Sequence, residues 1–258
     1  MTSTGATHGR PFLSIVVPAY NEQERLAATL AKIALYIDAV SLDAEVVVVD
    51  DGSKDRTVEV AEKELSGRRG RVVRSGENRG KGYAVRRGVF EAKGRFVLLT
   101  DADLSTPIEE HAKLAGQIRD RDLDVAIGSR ALPDSDVQVR QSWLRQTMGR
   151  GFNVLIRAMT GLPFRDTQCG FKLMDRERVR PLFEKMVVDR FAFDVELLFL
   201  CQRFGLSVVD VPVIWRNAAG SKVSLIGDPL NMLIDVLRVR WRFRRGLYNP
   251  EKGAAEAS

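Results

Sequence analysis

The sequence predicts an α/β domain with a mostly parallel sheet and helices on both of its faces. Three observations predict it. Short apolar runs of strand length recur along roughly the first 130 residues. Between them lie segments whose apolar residues repeat at helical spacing. The unusual polar residues fall directly after the strand-like runs, where a parallel sheet presents its carboxyl ends.

The first run, Leu13 to Val17, stops at Pro18, which suits a buried strand. Glu22 to Val40 then carries Leu26, Leu30, Ile33, Ala34 and Ile37 on one helical face. Glu45 to Val49 is a second buried strand and ends at Asp50-Asp51-Gly52-Ser53. Asp55 to Leu65 is a second helix, Val72 and Val73 mark a third strand, and Gly82 to Ala92 is a third helix. Phe96 to Thr100 is a fourth strand, left through Asp101-Ala102-Asp103. A helix start is expected at once, with Ser105 or Thr106 as cap and Pro107 in the first turn. Asp124 to Ile127 is the fifth strand and ends at Gly128-Ser129-Arg130. Residues 1–11 read as a disordered leader and 12–225 as the α/β domain, including an amphipathic helix at about 141–160. Residues 226–247 read as a basic amphipathic helix and 248–258 as a flexible tail.

The whole chain sets the bounds. Its 258 residues suffice for one large domain with a full core. A net charge of +6 and a pI near 9.5 point to an anionic partner. Cys169 and Cys201 form no CxxC, which argues against a disulfide framework or zinc site. His8 lies in the leader and His111 in a helix, so histidine chemistry has no evident home. The polar first residues lead us to expect no signal peptide, and no apolar run approaches the ~20 residues that span a bilayer.

The Asp101/Asp103 pair is the sharpest chemical feature. Carboxylates are hard oxygen ligands, and side chains at i and i+2 of an extended segment point the same way. An isolated Asp-x-Asp is more often a turn and a helix cap. Here, however, Tyr20-Asn21-Glu22, Asp50-Asp51 and Ser129-Arg130 converge on the same sheet edge. Neither GxGxxG nor a P-loop occurs, so an anion site there needs a metal and basic side chains.

Two later segments are amphipathic and basic. Trp143 to Met159 carries Trp143, Leu144, Met148, Phe152, Leu155, Ile156 and Met159, with Arg140, Arg145, Arg150 and Arg157 interleaved. Leu230 to Arg245 carries Leu230, Leu233, Ile234, Leu237 and Trp241 beside five arginines. Such helices suit an anionic lipid interface, or they pack on the domain with arginines in water. Periodicity leaves both readings open.

Read together, the segments resemble a known family. Val17-Pro18-Ala19-Tyr20-Asn21-Glu22, Val49-Asp50-Asp51-Gly52-Ser53-Lys54-Asp55, Asn78-Arg79-Gly80-Lys81-Gly82, Asp101-Ala102-Asp103 and Ile127-Gly128-Ser129-Arg130 occur in order. This resembles the inverting family 2 glycosyltransferases of the GT-A fold, and among them the polyprenyl-phosphate sugar synthases. Asp166-Thr167-Gln168-Cys169-Gly170-Phe171-Lys172 and Arg190-Phe191-Ala192-Phe193-Asp194-Val195-Glu196 look more like the dolichyl-phosphate β-glucosyltransferase branch than the mannose synthases.

The resemblance implies a site. Pro18, Ala19, Tyr20 and Glu22 match residues that hold base and ribose, and Val49 and Asp51 match a base-contacting pair. Lys81 joins the nucleotide-sugar set. Asp101, Ala102 and Asp103 match the motif that touches ribose and the metal-diphosphate, with Mg2+ or Mn2+ held by Asp101 and Asp103. Ser105 stands where mannose synthases place a glutamine ligand. Arg130 and Arg145 match the arginines on the acceptor phosphate, with Gly149 in place of a family serine. Arg216 and Lys222 match a basic loop that closes on the donor diphosphate. Asp103, Arg130, Arg145 and Lys222 are thus the expected catalytic set.

The implied reaction moves a hexose, by this reading glucose from UDP-glucose, to a polyprenyl or dolichyl monophosphate with inversion. The acceptor oxygen is already anionic and needs no strong base. The implied partners are the nucleotide sugar, the lipid phosphate, the cytoplasmic membrane face and a separate membrane protein. The chain is expected to be cytoplasmic and peripheral on that face. Alternatives are a GDP-mannose-dependent synthase and an enzyme with a hydroxyl acceptor. The latter needs a base, with Asp194 as candidate and Asp166 and Gln168 in the same acceptor region. A nucleic-acid module is disfavoured, because the aspartate pair repels phosphates without a metal.

Overall fold

The computed structural model describes residues 9–139, 143–216 and 227–249, with side chains described at all of these but 139, 143–148, 150 and 228. The chain alternates β1 (Leu13–Ala19), α1 (Leu26–Ala39), β2 (Ala44–Asp50), α2 (Thr57–Leu65), β3 (Gly70–Arg74), α3 (Lys81–Glu91) and β4 (Phe96–Leu99). A 3-10 turn at Ile108–Glu110 leads into α4 (His111–Arg121), then β5 (Val125–Ser129), β6 (Asp136–Val139) and α5 (Trp143–Thr160). β7 (Lys172–Asp175), α6 (Arg176–Lys185), α7 (Phe193–Arg203), β8 (Val208–Pro212), β9 (Ile214–Arg216) and α8 (Gly227–Arg244) complete it.

The main sheet has seven strands in the order β3-β2-β1-β4-β7-β5-β8, and only β7 runs antiparallel to its neighbours. β1 and β2 are apolar almost throughout because parallel strands are covered on both faces. Alternation divides their side chains. Leu13, Ile15 and Val17 join the core under α1, α2 and α4, whereas Val16, Val47 and Val49 join the core with α3, α6 and α7. Register then aligns the strand ends. Ala19 pairs with Asp50, and Val16 with Leu99, so the segments after β1, β2 and β4 leave from one edge. A separate parallel pair, β6 with β9, flanks that edge.

Several expectations need correction. Strands β6 to β9 and helices α6 and α7 have no counterpart among the expected elements. β7 is four residues bounded by Lys172 and Asp175, too short and too charged at its ends to show a period. The leader was expected to be disordered through Pro11, yet Pro11 is buried and Arg10 Nε donates to Lys93 O at 2.7 Å. The tail was expected to be flexible from residue 248, yet Tyr248 is 1% exposed and donates to Glu196 Oε1 at 2.6 Å. The first helix starts at Leu26, not Glu22, because Asn21 adopts φ 51° and the chain turns there. Neither Ser105 nor Thr106 caps a helix; Pro107 precedes the 3-10 turn instead.

α8 resolves the question left by periodicity. It has two apolar faces. Met232, Val236 and Val239 are buried in the core, whereas Leu230, Ile234, Leu237 and Trp241 are 60%, 40%, 53% and 55% exposed. On α5, Ile156 is buried while Val154 and Leu155 are exposed. Among the described residues no helix is long and apolar enough to cross a membrane.

Candidate active site

The strand ends open into a cleft of about 1610 Å³. Pro18, Ala19, Tyr20 and Glu22 line it from the end of β1, Asp51 from β2, and Lys81 from the start of α3. Asp101, Ala102, Asp103 and Ser105 line it after β4, and Arg130 after β5. Asp166, Gln168 and Asp194 close the far wall. The structure thus brings together most of the residues singled out in the sequence. Val49 is not among them: it is fully buried in β2 and belongs to the core with Val16 and Val85. Arg216 is not a lining residue; its Nε donates to Gln138 Oε1 at 2.8 Å across the β6–β9 pair. The Arg145 side chain and Lys222 lie outside the described residues, and Gly149 lines the cleft from α5.

The aspartate pair reaches the cleft by a turn, not by strand alternation. β4 stops at Leu99, and Leu104 N donates to Asp101 O at 3.1 Å, with Leu104 at φ 45°. The Ala102 carbonyl accepts from Thr29 Oγ1 at 2.6 Å, which ties the turn to α1. Asp103 Oδ1 accepts the Ser105 amide at 2.9 Å, so Ser105 orients the carboxylate through its backbone. The Ser105 carbonyl in turn accepts the Arg216 amide at 2.7 Å.

Charge in the cleft is paired with care. Lys81 Nζ lies 2.6 Å from Asp101 Oδ1. Burial works against the Lys81 charge, but Asp101, Asp194 and Asp103 outweigh it and push its pKa up to about 12. For Asp101, burial works toward a higher pKa; Lys81, Lys172 and Arg130 overcome it and hold the carboxyl below its usual range. Lys81 owes its place to the turn before it. Asp51 accepts the amides of Arg79 at 3.1 Å and Gly80 at 2.7 Å, and Gly80 adopts φ 117°. A Cβ at Gly80 would sit 2.5 Å from Asp189 O, so only glycine fits. Burial raises the Asp51 pKa, and those two amides pull it back.

Arg130 and Asp166 form a bidentate pair. Nε to Oδ2 is 2.6 Å and Nη2 to Oδ1 is 2.9 Å, and the Arg130 amide also donates to Oδ2. Burial opposes the Asp166 charge, but Arg130 overrides it and brings the pKa down to about 2. Asp166 thus holds the Arg130 guanidinium in place. The guanidinium also lies 5.5 Å from the Trp215 ring centroid, a cation–π contact that sequence reading missed. Gln168 reaches Met232 Sδ of α8 at 3.7 Å. Asp194 Oδ1 accepts from Lys172 Nζ at 2.5 Å, and both residues are buried. Burial pushes the Asp194 pKa above the usual carboxylate range, and Lys172 and Lys81 only partly draw it back. Lys172 was also missed; its only signal is a lysine placed directly after the apolar Phe171.

A divalent cation fits the Asp101/Asp103 pair by chemistry. The donors are hard carboxylate oxygens, and the Lys81 ammonium already occupies a cation position against one of them. Among the described residues no cluster of three or more His, Cys, Asp or Glu could hold a metal. Asp101 and Asp103 would offer such an ion two carboxylates, with phosphate and water oxygens suited to its other positions.

The glycosyl transferase family 2 model matches residues 14–183. A dolichyl-phosphate β-glucosyltransferase of Drosophila melanogaster is 39% identical over 249 residues, covering 92% of this chain and 76% of that protein. The Homo sapiens protein of the same name is 36% identical, covering 93% and 78%. That of Dictyostelium discoideum is 35% identical, covering 92% and 76%. Among solved structures, glucosyl-3-phosphoglycerate synthase of Mycobacterium tuberculosis with Mn2+ and UDP-glucose aligns with a TM-score of 0.66. It is 20% identical, and the match covers 89% of this chain and 79% of that one. The same enzyme was also solved with Mg2+ and UDP. At that identity the likeness establishes the GT-A fold.

Proposed function

This chain belongs to glycosyl transferase family 2, among the dolichyl-phosphate β-glucosyltransferases, and we propose that it moves glucose from UDP-glucose to a polyprenyl or dolichyl monophosphate with inversion. The observation that carries this reading is the pairing of carboxylates in the cleft. Asp101 is held by Lys81, Asp166 by Arg130, Asp194 by Lys172, and Asp51 by two backbone amides. Such a site suits an acceptor that brings its own negative charge. A hydroxyl acceptor needs a base, and Asp194, 4% exposed and ion-paired, is poorly placed to serve.

Each residue then has a task. Pro18, Ala19, Tyr20 and Glu22 shape the nucleoside end of the cleft. Asp101 and Asp103 would hold Mg2+ or Mn2+. When bound, that ion would neutralise charge on the diphosphate. Arg130, fixed in its plane by Asp166, orients the attacking phosphate, with Arg145 as its expected second contact. Lys222 completes the donor side in this reading, whereas the Arg216 side chain is turned to Gln138. An anionic oxygen held in line with the anomeric carbon attacks without prior proton removal, which inverts that carbon.

The lipid must be met at a surface. The outward stripe Leu230, Ile234, Leu237 and Trp241, with Arg238 and Arg244 exposed on the same helix and Arg245 exposed just after it, suits an anionic leaflet. Pro229 and Met232 of α8 and Val154 and Leu155 of α5 line the cleft, so this surface adjoins its mouth. We place the enzyme peripherally on the cytoplasmic membrane face, where a separate membrane protein would share the contact.

The test is direct. Purified protein is incubated with radiolabelled UDP-glucose, polyprenyl phosphate and Mn2+, then extracted with organic solvent. Label in the organic phase is expected. Label from GDP-mannose instead would reassign the donor, and label only in a water-soluble glycoside would overturn the lipid acceptor.

A further inference from the structure

Lys172 is a fully buried lysine at the first position of β7. Its Nζ donates to Asp194 Oδ1 and to Cys169 O, both at 2.5 Å. A buried ion pair is weak evidence for stability, since apolar residues of similar volume serve a core as well or better. Packing alone therefore gives no reason for a lysine between β4 and β5.

The neighbouring backbone supplies one. A Cβ at Gly170 would lie 2.3 Å from Asp101 Oδ2 and 2.7 Å from both Oδ1 and Cγ. The Gly170 backbone is thus the wall on which the Asp101 carboxylate rests. That wall is held from both sides. The Gly128 amide donates to Phe171 O at 2.8 Å, and Lys172 grips the Cys169 carbonyl. Through Asp194, Lys172 also ties the wall to the first turn of α7.

We infer that Lys172 is a positioning residue: with Asp194 it clamps the Cys169–Gly170 backbone behind Asp101 and fixes the carboxylate that meets the donor diphosphate and its cation. Gly170 sets the clearance. Asp194 is then an anchor for this clamp. The inference rests on Asp101 being a donor-side ligand, as the proposed function holds.

The experiment is calorimetric titration of UDP into the full chain at a series of Mn2+ concentrations. The proteins are wild type, Gly170→Ala, and the double variant Lys172→Met with Asp194→Leu, which leaves no orphan charge. Thermal melts and circular dichroism establish that each is folded. Both variants are expected to need about tenfold more Mn2+ or beyond for half-maximal UDP binding. Gly170→Ala removes no interaction of Lys172, so it tests the wall even where the double variant folds poorly. A merely structural pair would lower the melting temperature and leave the Mn2+ dependence of the folded protein unchanged. Wild-type Mn2+ dependence in the folded double variant would overturn the role of Lys172, and wild-type dependence in folded Gly170→Ala would overturn the wall on which that role rests. Wild-type protein whose UDP binding ignores Mn2+ would overturn the reading of Asp101, and the inference with it.

Discussion

Lys81 places its ammonium 2.6 Å from Asp101 Oδ1 at the mouth of β4, so one carboxylate faces a resident cation before any ligand arrives. A divalent ion and Lys81 then compete for, or share, the same oxygen. Asp101→Asn keeps the shape and removes the charge both require. Transfer is expected to fall on the order of a hundredfold or more, with the melting temperature little changed. Lys81→Met is expected to act differently. It frees Asp101, so the Mn2+ concentration for half-maximal activity falls while kcat also falls. Initial rates across a Mn2+ series separate the two variants. Equal Mn2+ requirements in Lys81→Met and wild type would refute the competition.

Arg130 and Asp166 predict both a kinetic and a pH effect. Arg130→Lys keeps the charge but loses the planar, two-bonded fork. A loss of roughly ten- to a hundredfold in kcat/KM for the lipid phosphate is expected, with the KM for UDP-glucose nearly unchanged. The Asp166 pKa is brought down from 3.8 to about 2. A depressed carboxylate stabilises the fold above its unfolded pKa, and the gain is lost as pH falls through the folded one. Wild type should therefore lose up to roughly 2 kcal/mol between about pH 4 and pH 2 through this group. Asp166→Asn should lose less over that window, which denaturant melts at several pH values would reveal.

The sequence carried the sheet edge well and its interior charges poorly. β1 and β2 are nearly unbroken apolar runs, so burial on both faces was visible in composition alone. α7 was not legible because Phe193 through Cys201 is buried at every position, which leaves no amphipathic period. Pairings across the fold are equally silent. Arg130 and Asp166 lie 36 residues apart, Lys172 and Asp194 lie 22 apart, and no spacing rule connects them. That is why the sequence offers Asp166 and Asp194 as candidate acceptor-site groups but not the cations that pair with them. For α8 the period was legible but not its direction. Two apolar stripes share the helix, and only packing against α7 and α5 decides which is buried.

Tyr248 shows that the end of α8 is tied to the core. Its hydroxyl donates to Glu196 Oε1 at 2.6 Å, and the same carboxylate accepts the Val187 and Val188 amides. Tyr248→Phe leaves a buried carboxylate short of one donor, a change worth about 1–3 kcal/mol. Glu196 sits in the first turn of α7, away from the cleft lining. The variant is therefore expected to lower the melting temperature by several degrees with UDP affinity unchanged. A loss of UDP affinity in step with stability would mean that the Glu196 cluster reaches the site.

The exposed face of α8 gives the last prediction. Leu230, Ile234, Leu237 and Trp241 recur at i, i+4, i+7 and i+11, so they fall on one side of the helix. None of these four is in the buried core, so polar substitutions there should spare the fold. Burying one such side chain in lipid is worth roughly 1.5 kcal/mol or more. Ile234→Glu with Leu237→Glu should thus weaken vesicle binding on the order of a hundredfold. Flotation with vesicles rich in anionic lipid measures it. UDP binding in solution should stay at the wild-type level, whereas transfer to vesicle-borne polyprenyl phosphate should fall with the flotation signal. Raising salt should weaken wild-type binding through the arginines but leave a residual apolar component, because screening acts on charge alone. Undiminished flotation of the double variant would move the membrane contact elsewhere on the molecule.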